Sequence, residues 1–319
     1  MNRGIENILV LTEKIVKDYY LCKSCLGRLF GGLSKGLTNR ERGEILLQTL
    51  KMNSHYKLLS YKRIPRKLLE KLIFEYRFSE LKKIAREQGI NIKNRTNEGK
   101  KCYICNGLMD NINEITNRII DKIQDIEFER FIIGIKRSKR IEEKEEEIKR
   151  KFNIWFGENI RNELSRELGK RILDKLNRNI IYEPKNPELL ITIDIENMKI
   201  KIMIKPVRTT ILISKLDKNA PIFSRVCTNC KGKGCATCEY TGKQVGNSLE
   251  YNLGKSLLKI YGGKRWRFGM KYLDKNKAIL ETSFKIVDPK RRNIGKEEII
   301  NLNKLLESLG FKIIDITRT

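Results

Sequence analysis

A chain of 319 residues with 40% hydrophobic residues carries enough apolar material for two or three packed domains and is not a disordered polymer. Its 67 Lys and Arg against 39 Asp and Glu leave a net charge of +28, a self-repelling surface that calls for a polyanionic partner, nucleic acid before membrane. The lone His55 excludes sites built on several imidazoles, and neither an apolar run of about 18 residues nor a leader-like apolar block is present, so the expected setting is soluble and cytoplasmic. A Lys-rich and Ile-rich genome or a hot habitat would explain abundant charge, but not so large an excess of one sign.

In chain order, Ile8 to Tyr19 is an amphipathic helix, Thr38 and Glu41 form a capping pair for the next one, and Pro65 opens a helix reaching about Glu87. A polar break from Asn91 to Lys101 precedes a short helix, about Asn111 to Ile123. Phe131 to Ile135 is a strand, Arg140 to Lys151 a charge run of solvated helix or loop, and about Asn153 to Leu176 a helix with Ile160, Leu164, Leu168, Ile172 and Leu176 on one face. Leu189 to Ile195 and Lys199 to Lys205 read as a hairpin around Glu196-Asn197, with one buried and one basic face. Thr210 to Ser214 is a further apolar run. Ser248 to Tyr261 and Lys296 to Leu309 read as helices, Ala278 to Val287 and Phe311 to Ile316 as strands. Gly254-Lys255-Ser256 imitates the end of a phosphate-binding loop, but Leu249 stands where the first glycine belongs.

All eight cysteines fall in Cys-x-x-Cys pairs: Cys22/Cys25, Cys102/Cys105, Cys227/Cys230 and Cys235/Cys238. Two-residue spacing lets both thiolates of a tight turn face one ion, and two turns complete the four-sulfur shell of structural zinc. Two closed Zn2+ sites are expected, with iron–sulfur ligation as the competing reading. The later site is compact, with Gly232 and Gly234 placed for positive φ; the earlier one must be assembled by folding of everything between its pairs.

These landmarks resemble the archaeal and eukaryotic tRNA pseudouridine synthases of the Pus ten type. The resemblance rests on Cys22-Lys-Ser-Cys25-Leu-Gly27-Arg28 with Thr38-Asn39-Arg40-Glu41-Arg42-Gly43, on Cys102-Tyr-Ile-Cys105-Asn106-Gly107, on Phe131-Ile-Ile-Gly134, Ser165-Arg166-Glu167-Leu168-Gly169-Lys170 and Asn186-Pro187-Glu188-Leu189, and on the Cys227 to Cys238 knuckle followed by Ser248-Leu249-Glu250. It implies a multidomain α+β chain: a zinc-stapled helical N-terminal domain (1–125), a THUMP-like α/β RNA-binding domain (126–213), and a truncated pseudouridine-synthase-like α+β domain with a zinc-knuckle insert (214–319).

The departures fall where the family keeps its chemistry. The Gly-Arg-Glu-Asp-x-Asp segment holding the family's aspartate aligns with Arg267 to Asp274, where Asp274 is the only acid, flanked by Lys271 and Lys275; Asp-Lys-Asn-Lys also reads as an exposed turn. Family members continue beyond the position of Thr319. The resemblance therefore implies a tRNA-binding protein of tRNA modification, its catalytic part degenerate or completed by a second chain. Active T-loop uridine isomerisation and a zinc-stapled scaffold are the alternatives. Candidate RNA contacts are Arg130, Lys136, Arg137, Lys139, Arg140, Arg166 and Lys170, and the candidate catalytic residue is Asp274.

Overall fold

The computed structural model describes residues 8–61, 64–92, 100–274 and 278–318. The chain divides into two compact units, the first formed by 1–118, 134–175 and 193–200 and the second by 119–133, 176–192 and 201–319.

In the first unit, α1 (Ile8–Asp18), α2 (Lys23–Leu29), α3 (Asn39–Tyr61), α4 (Arg66–Phe74) and α5 (Ser79–Glu87) precede the start of α6 (Ile112–Ile123). Two glycines fix how α2 meets α3. A Cβ on Gly27 would lie 1.8 Å from the Asn39 carbonyl oxygen, and one on Gly43 would lie 1.9 Å from that of Lys23, so only hydrogen at both positions lets the backbones touch. The Thr38–Glu41 pair caps α3 as expected, Thr38 donating its amide to Glu41 at 2.7 Å.

The helix expected from Pro65 to Glu87 is two helices. Arg77 adopts φ +59° between them, and α5 is re-aimed to bury Leu81 and Ala85. The charge run is α7 (Lys139–Lys151), capped by Ser138, and it buries Ile141, Glu145 and Ile148. The helix expected from about Asn153 begins only at α8 (Ile160–Leu176). Tertiary hydrogen bonds outcompete its first turns: Gly32 donates to the Phe156 carbonyl at 2.7 Å and Glu158 to that of Arg28 at 2.9 Å.

The first sheet runs in the order β2 (Ile181–Tyr182), β1 (Arg130–Lys136), β3 (Leu189–Asp194), β4 (Lys199–Ile204). Asp194 closes the β3–β4 hairpin by accepting the amides of Glu196 and Asn197 at 3.1 and 3.2 Å.

The second unit holds an antiparallel sheet in the order β6 (Arg265–Asp274), β7 (Ile279–Val287), β5 (Val207–Lys215), β8 (Phe311–Arg318), with α9 (Leu249–Tyr261) and α10 (Lys296–Ser308). Its core gathers Ile211, Ile213, Leu253, Leu257, Phe284 and Leu306. The sequence reading had no strand at 265–274, yet Trp266, Phe268 and Met270 alternate inward opposite Ile286, Phe284 and Thr282 of β7. Among the described residues no helix is long and apolar enough to cross a membrane.

Candidate metal centres and nucleic-acid interface

Cys22 stands at the N-cap of α2 and Cys25 lies in its first turn, while Cys102 and Cys105 close a turn completed by Asn106 and Gly107 at φ +51° and +89°. Tyr103 donates its amide to the Tyr20 carbonyl at 2.9 Å, which brings the second pair to the first. The four sulfurs lie within 4.8 Å of one another, all buried, with Cys22 and Cys105 Sγ 3.7 Å apart. Sulfurs about 2.3 Å from a tetrahedral zinc sit about 3.8 Å from each other, so the donor set fits that ion.

Beside this cluster lies a group that the sequence reading did not single out. Arg28 is fully buried and donates through Nε to Glu145 and through Nη1 to Glu163, both at 2.6 Å, and through Nη2 to Cys25 Sγ at 3.3 Å. Burial opposes its charge, but Cys25 and the two carboxylates outweigh it and hold the guanidinium above its usual range. One side chain of α2 thus ties the cysteine cluster to α7 and α8. The signal was present in the sequence, since Glu145 and Glu163 both fall on apolar helix stripes.

The later cluster lies between β5 and α9, where Val226 bridges Lys243. Its sulfurs are 3.9 Å (Cys227–Cys235), 3.7 Å (Cys230–Cys238) and 3.7 Å (Cys235–Cys238) apart, the same fit to zinc. Gly232 and Gly234 take φ +85° and +95°, as their spacing predicts. Burial opposes ionisation of Cys238, yet the amides of Cys235 and Gly242 hold its thiol down to about 6. Both clusters are closed four-sulfur shells.

The basic candidates separate into two kinds. Arg130 engages Glu188 at 3.0 Å, Lys136 engages Asp194 at 2.8 Å, Arg137 engages Glu142 at 3.0 Å, and Arg166 pairs with Glu158. Lys139, Arg140 and Lys170 are exposed. Exposed pairs such as Lys136–Asp194 are worth at most about 1 kcal/mol and exchange readily for phosphate. Arg130 is different because its partner is buried. Arg166 and Lys170 line one cleft with Lys35 and Arg42, two cations that the sequence reading did not select. Asp274 ends β6, half-buried, opposite Ile279. Lys271, which flanks it in sequence, pairs with Glu281 at 3.0 Å, and Lys275 lies outside the described residues.

The description "Pus10 THUMP domain, archaeal" matches residues 115–194, from α6 through β3. The chain is a relative of archaeal Pus10. Curated proteins named tRNA pseudouridine synthase Pus10 align along most of it: that of Methanopyrus kandleri is 28% identical over 90% of the chain and 64% of its own length. That of Nitrosopumilus maritimus is 25% identical over 97% of the chain and 69% of its own length. The Ignisphaera aggregans protein is 34% identical over 61% of the chain and 44% of its own length. The chain therefore spans about two thirds of the Methanopyrus protein and less than half of the Ignisphaera one.

Within the segment that matches the Pus10 THUMP domain, Glu188 is the buried anchor. It accepts the Glu129 amide at 2.8 Å, meets Arg130 at 3.0 Å, and faces Arg292 Nε at 3.3 Å. Burial opposes its ionisation, but the Glu129 amide and the two arginines outweigh it and hold the carboxyl below its ordinary range. Because the folded value is the lower one, the stability from Glu188 is fully present above the unfolded value of about 4.3 and is lost as pH falls through the folded one. A Glu188→Gln chain should accordingly lose the part of its acid sensitivity that titrates there, measured as urea midpoints between pH 6 and pH 3.

Proposed function

We propose that the chain binds tRNA and acts in tRNA modification, in three parts: a zinc-bearing helical region (1–125), a THUMP-like RNA-binding region (126–213) and a synthase-like region (214–319). The reading is carried by one observation, a Pus10 THUMP match at 115–194 on a chain of net charge +28. A basic surface of this kind recognises the shape and phosphates of folded RNA. Cys22, Cys25, Cys102 and Cys105 would hold one Zn2+, and Cys227, Cys230, Cys235 and Cys238 a second. Bound there, zinc supplies structure, because four thiolates leave no open coordination position.

The finer reading is that binding outweighs chemistry. The relatives' printed names make them synthases. In this chain, however, Asp274 is the only carboxylate of the 265–274 segment, which pairs with β7 along its length. An active T-loop isomerase is the alternative.

Both readings are tested with purified chain and an unmodified tRNA transcript. The wild type should bind, and Arg166→Glu with Lys170→Glu should weaken binding about tenfold and lower the salt slope by about 2. Unchanged binding would remove α8 from the interface. Site-resolved pseudouridine detection should give no signal. A T-loop signal that Asp274→Ala abolishes would establish the active isomerase.

A further inference from the structure

The α2–α3 turn, the segment before α8 and α8 itself enclose a cleft of about 530 Å³ in the first unit. Four cations line it, Lys35, Arg42, Arg166 and Lys170, against one acid, Glu158. That acid is already engaged, by Arg166 Nη2 at 3.0 Å and by Asn39 Nδ2 at 2.7 Å. Arg42 is only 6% exposed and gives its donors to neutral oxygens: the carbonyls of Leu33, Ser34 and Leu37 and the Asn39 amide. Those partners are all neutral, and the two carboxylates near enough to act on its charge, Glu158 and Glu163, are taken up by Arg166 and Arg28, which leaves the floor of the cleft electropositive.

An aromatic platform stands next to this floor. Trp155 is 85% exposed, although its neighbour Ile154 is buried and donates its amide to the Lys149 carbonyl at 2.8 Å. Its ring lies 5.4 Å from Phe156, which lines the cleft and itself packs 5.8 Å from Phe30. Trp155 therefore forgoes the burial that a tryptophan ordinarily gains, on a backbone fixed at both sides. Cations with an adjoining open aromatic face are the combination that holds an unpaired nucleotide.

We propose that this cleft takes one unpaired nucleotide of bound RNA, the phosphate between Lys35 and Lys170 over the charge of Arg42 and the base stacked on Trp155. The inference rests on the RNA-binding reading. It adds Lys35, Arg42 and Trp155 to the interface and assigns a single-stranded segment to this place. Stacking accepts any base, so little sequence preference is expected.

The test uses the full chain, whose two tryptophans are Trp155 and Trp266. A single-stranded RNA hexamer should quench tryptophan emission, and Trp155→Ala should abolish the quench and weaken the affinity for hexamer and tRNA about tenfold. Lys35→Glu should weaken both several-fold and lower the salt slope by about 1, whereas Lys83→Glu, on the exposed side of α5, should change neither. Equal quenching by a blunt RNA duplex, by a glutamate-rich peptide or by a free nucleoside triphosphate would overturn the assignment. So would tRNA affinity unchanged in both Trp155→Ala and Lys35→Glu, which leaves the tRNA reading standing. Absence of tRNA binding by the wild type would overturn both.

Discussion

An Arg28→Leu chain is expected to lose about 3–5 kcal/mol of stability in the first unit, read as a lower urea midpoint at unchanged slope. The magnitude follows from what the guanidinium leaves behind. Glu145 and Glu163 are 1% and 2% exposed, and each is held by Arg28 at 2.6 Å. Without the arginine, two carboxylates remain buried with their counter-charge removed, which is the costly way to break an internal ion pair. Burial already raises the Glu163 pKa even opposite Arg28, so its ionised form depends on that partner. Arg28→Lys should recover only part of the loss, because one ammonium cannot reach Glu145, Glu163 and Cys25 in the fixed directions of a guanidinium. Replacing all three charged residues by leucine should restore most of it, since apolar packing substitutes for a buried ion triad at little cost. A single Arg28→Leu variant within about 1 kcal/mol of the parent would show that the triad contributes nothing beyond packing.

Loss of metal should act very differently at the two cysteine clusters. The first joins α2 to a turn that follows α5, and the chain between its pairs includes α3, α4 and α5. Ion binding at such a site is folding free energy, about 10–16 kcal/mol for small zinc modules against about 5–15 kcal/mol for a whole domain's stability. Cys102→Ser is therefore expected to remove one metal equivalent and much of the helical circular dichroism of the first unit. The second cluster lies between β5 and α9, while the core of its unit is made by Ile211, Leu253, Phe284 and their neighbours. Cys230→Ser should remove one equivalent, loosen residues 226–243, and leave the helical signal and main melting transition nearly unchanged. Equal effects of the two substitutions would refute this division.

Periodicity and spacing alone determined a good deal. The four Cys-x-x-Cys pairs, the Thr38–Glu41 cap, the β3–β4 hairpin, the positive-φ glycines of the later knuckle and most helices are local matters, because each depends on residues within a turn or two, whereas joining Cys22 to Cys105 needs the fold of the chain between them. The THUMP resemblance lay in short motifs for the same reason. Tertiary structure decided what depends on partners distant in the chain. The charge run at 140–151 became a half-buried helix because Glu145 meets Arg28 across 117 residues. The helix before residue 160 was unwound because Phe156 and Glu158 hydrogen-bond to the end of α2 and the turn after it. Arg130, a candidate RNA contact, also pairs with the buried Glu188, a partner 58 residues away that its own segment does not reveal. Lys35 and Trp155 carry no motif in one dimension, and the motif that contains Arg42 does not mark it as a contact. A charge or a ring becomes a site only when folding sets it beside others that it cannot neutralise or bury, and that is a property of the fold's surface, not of the local sequence.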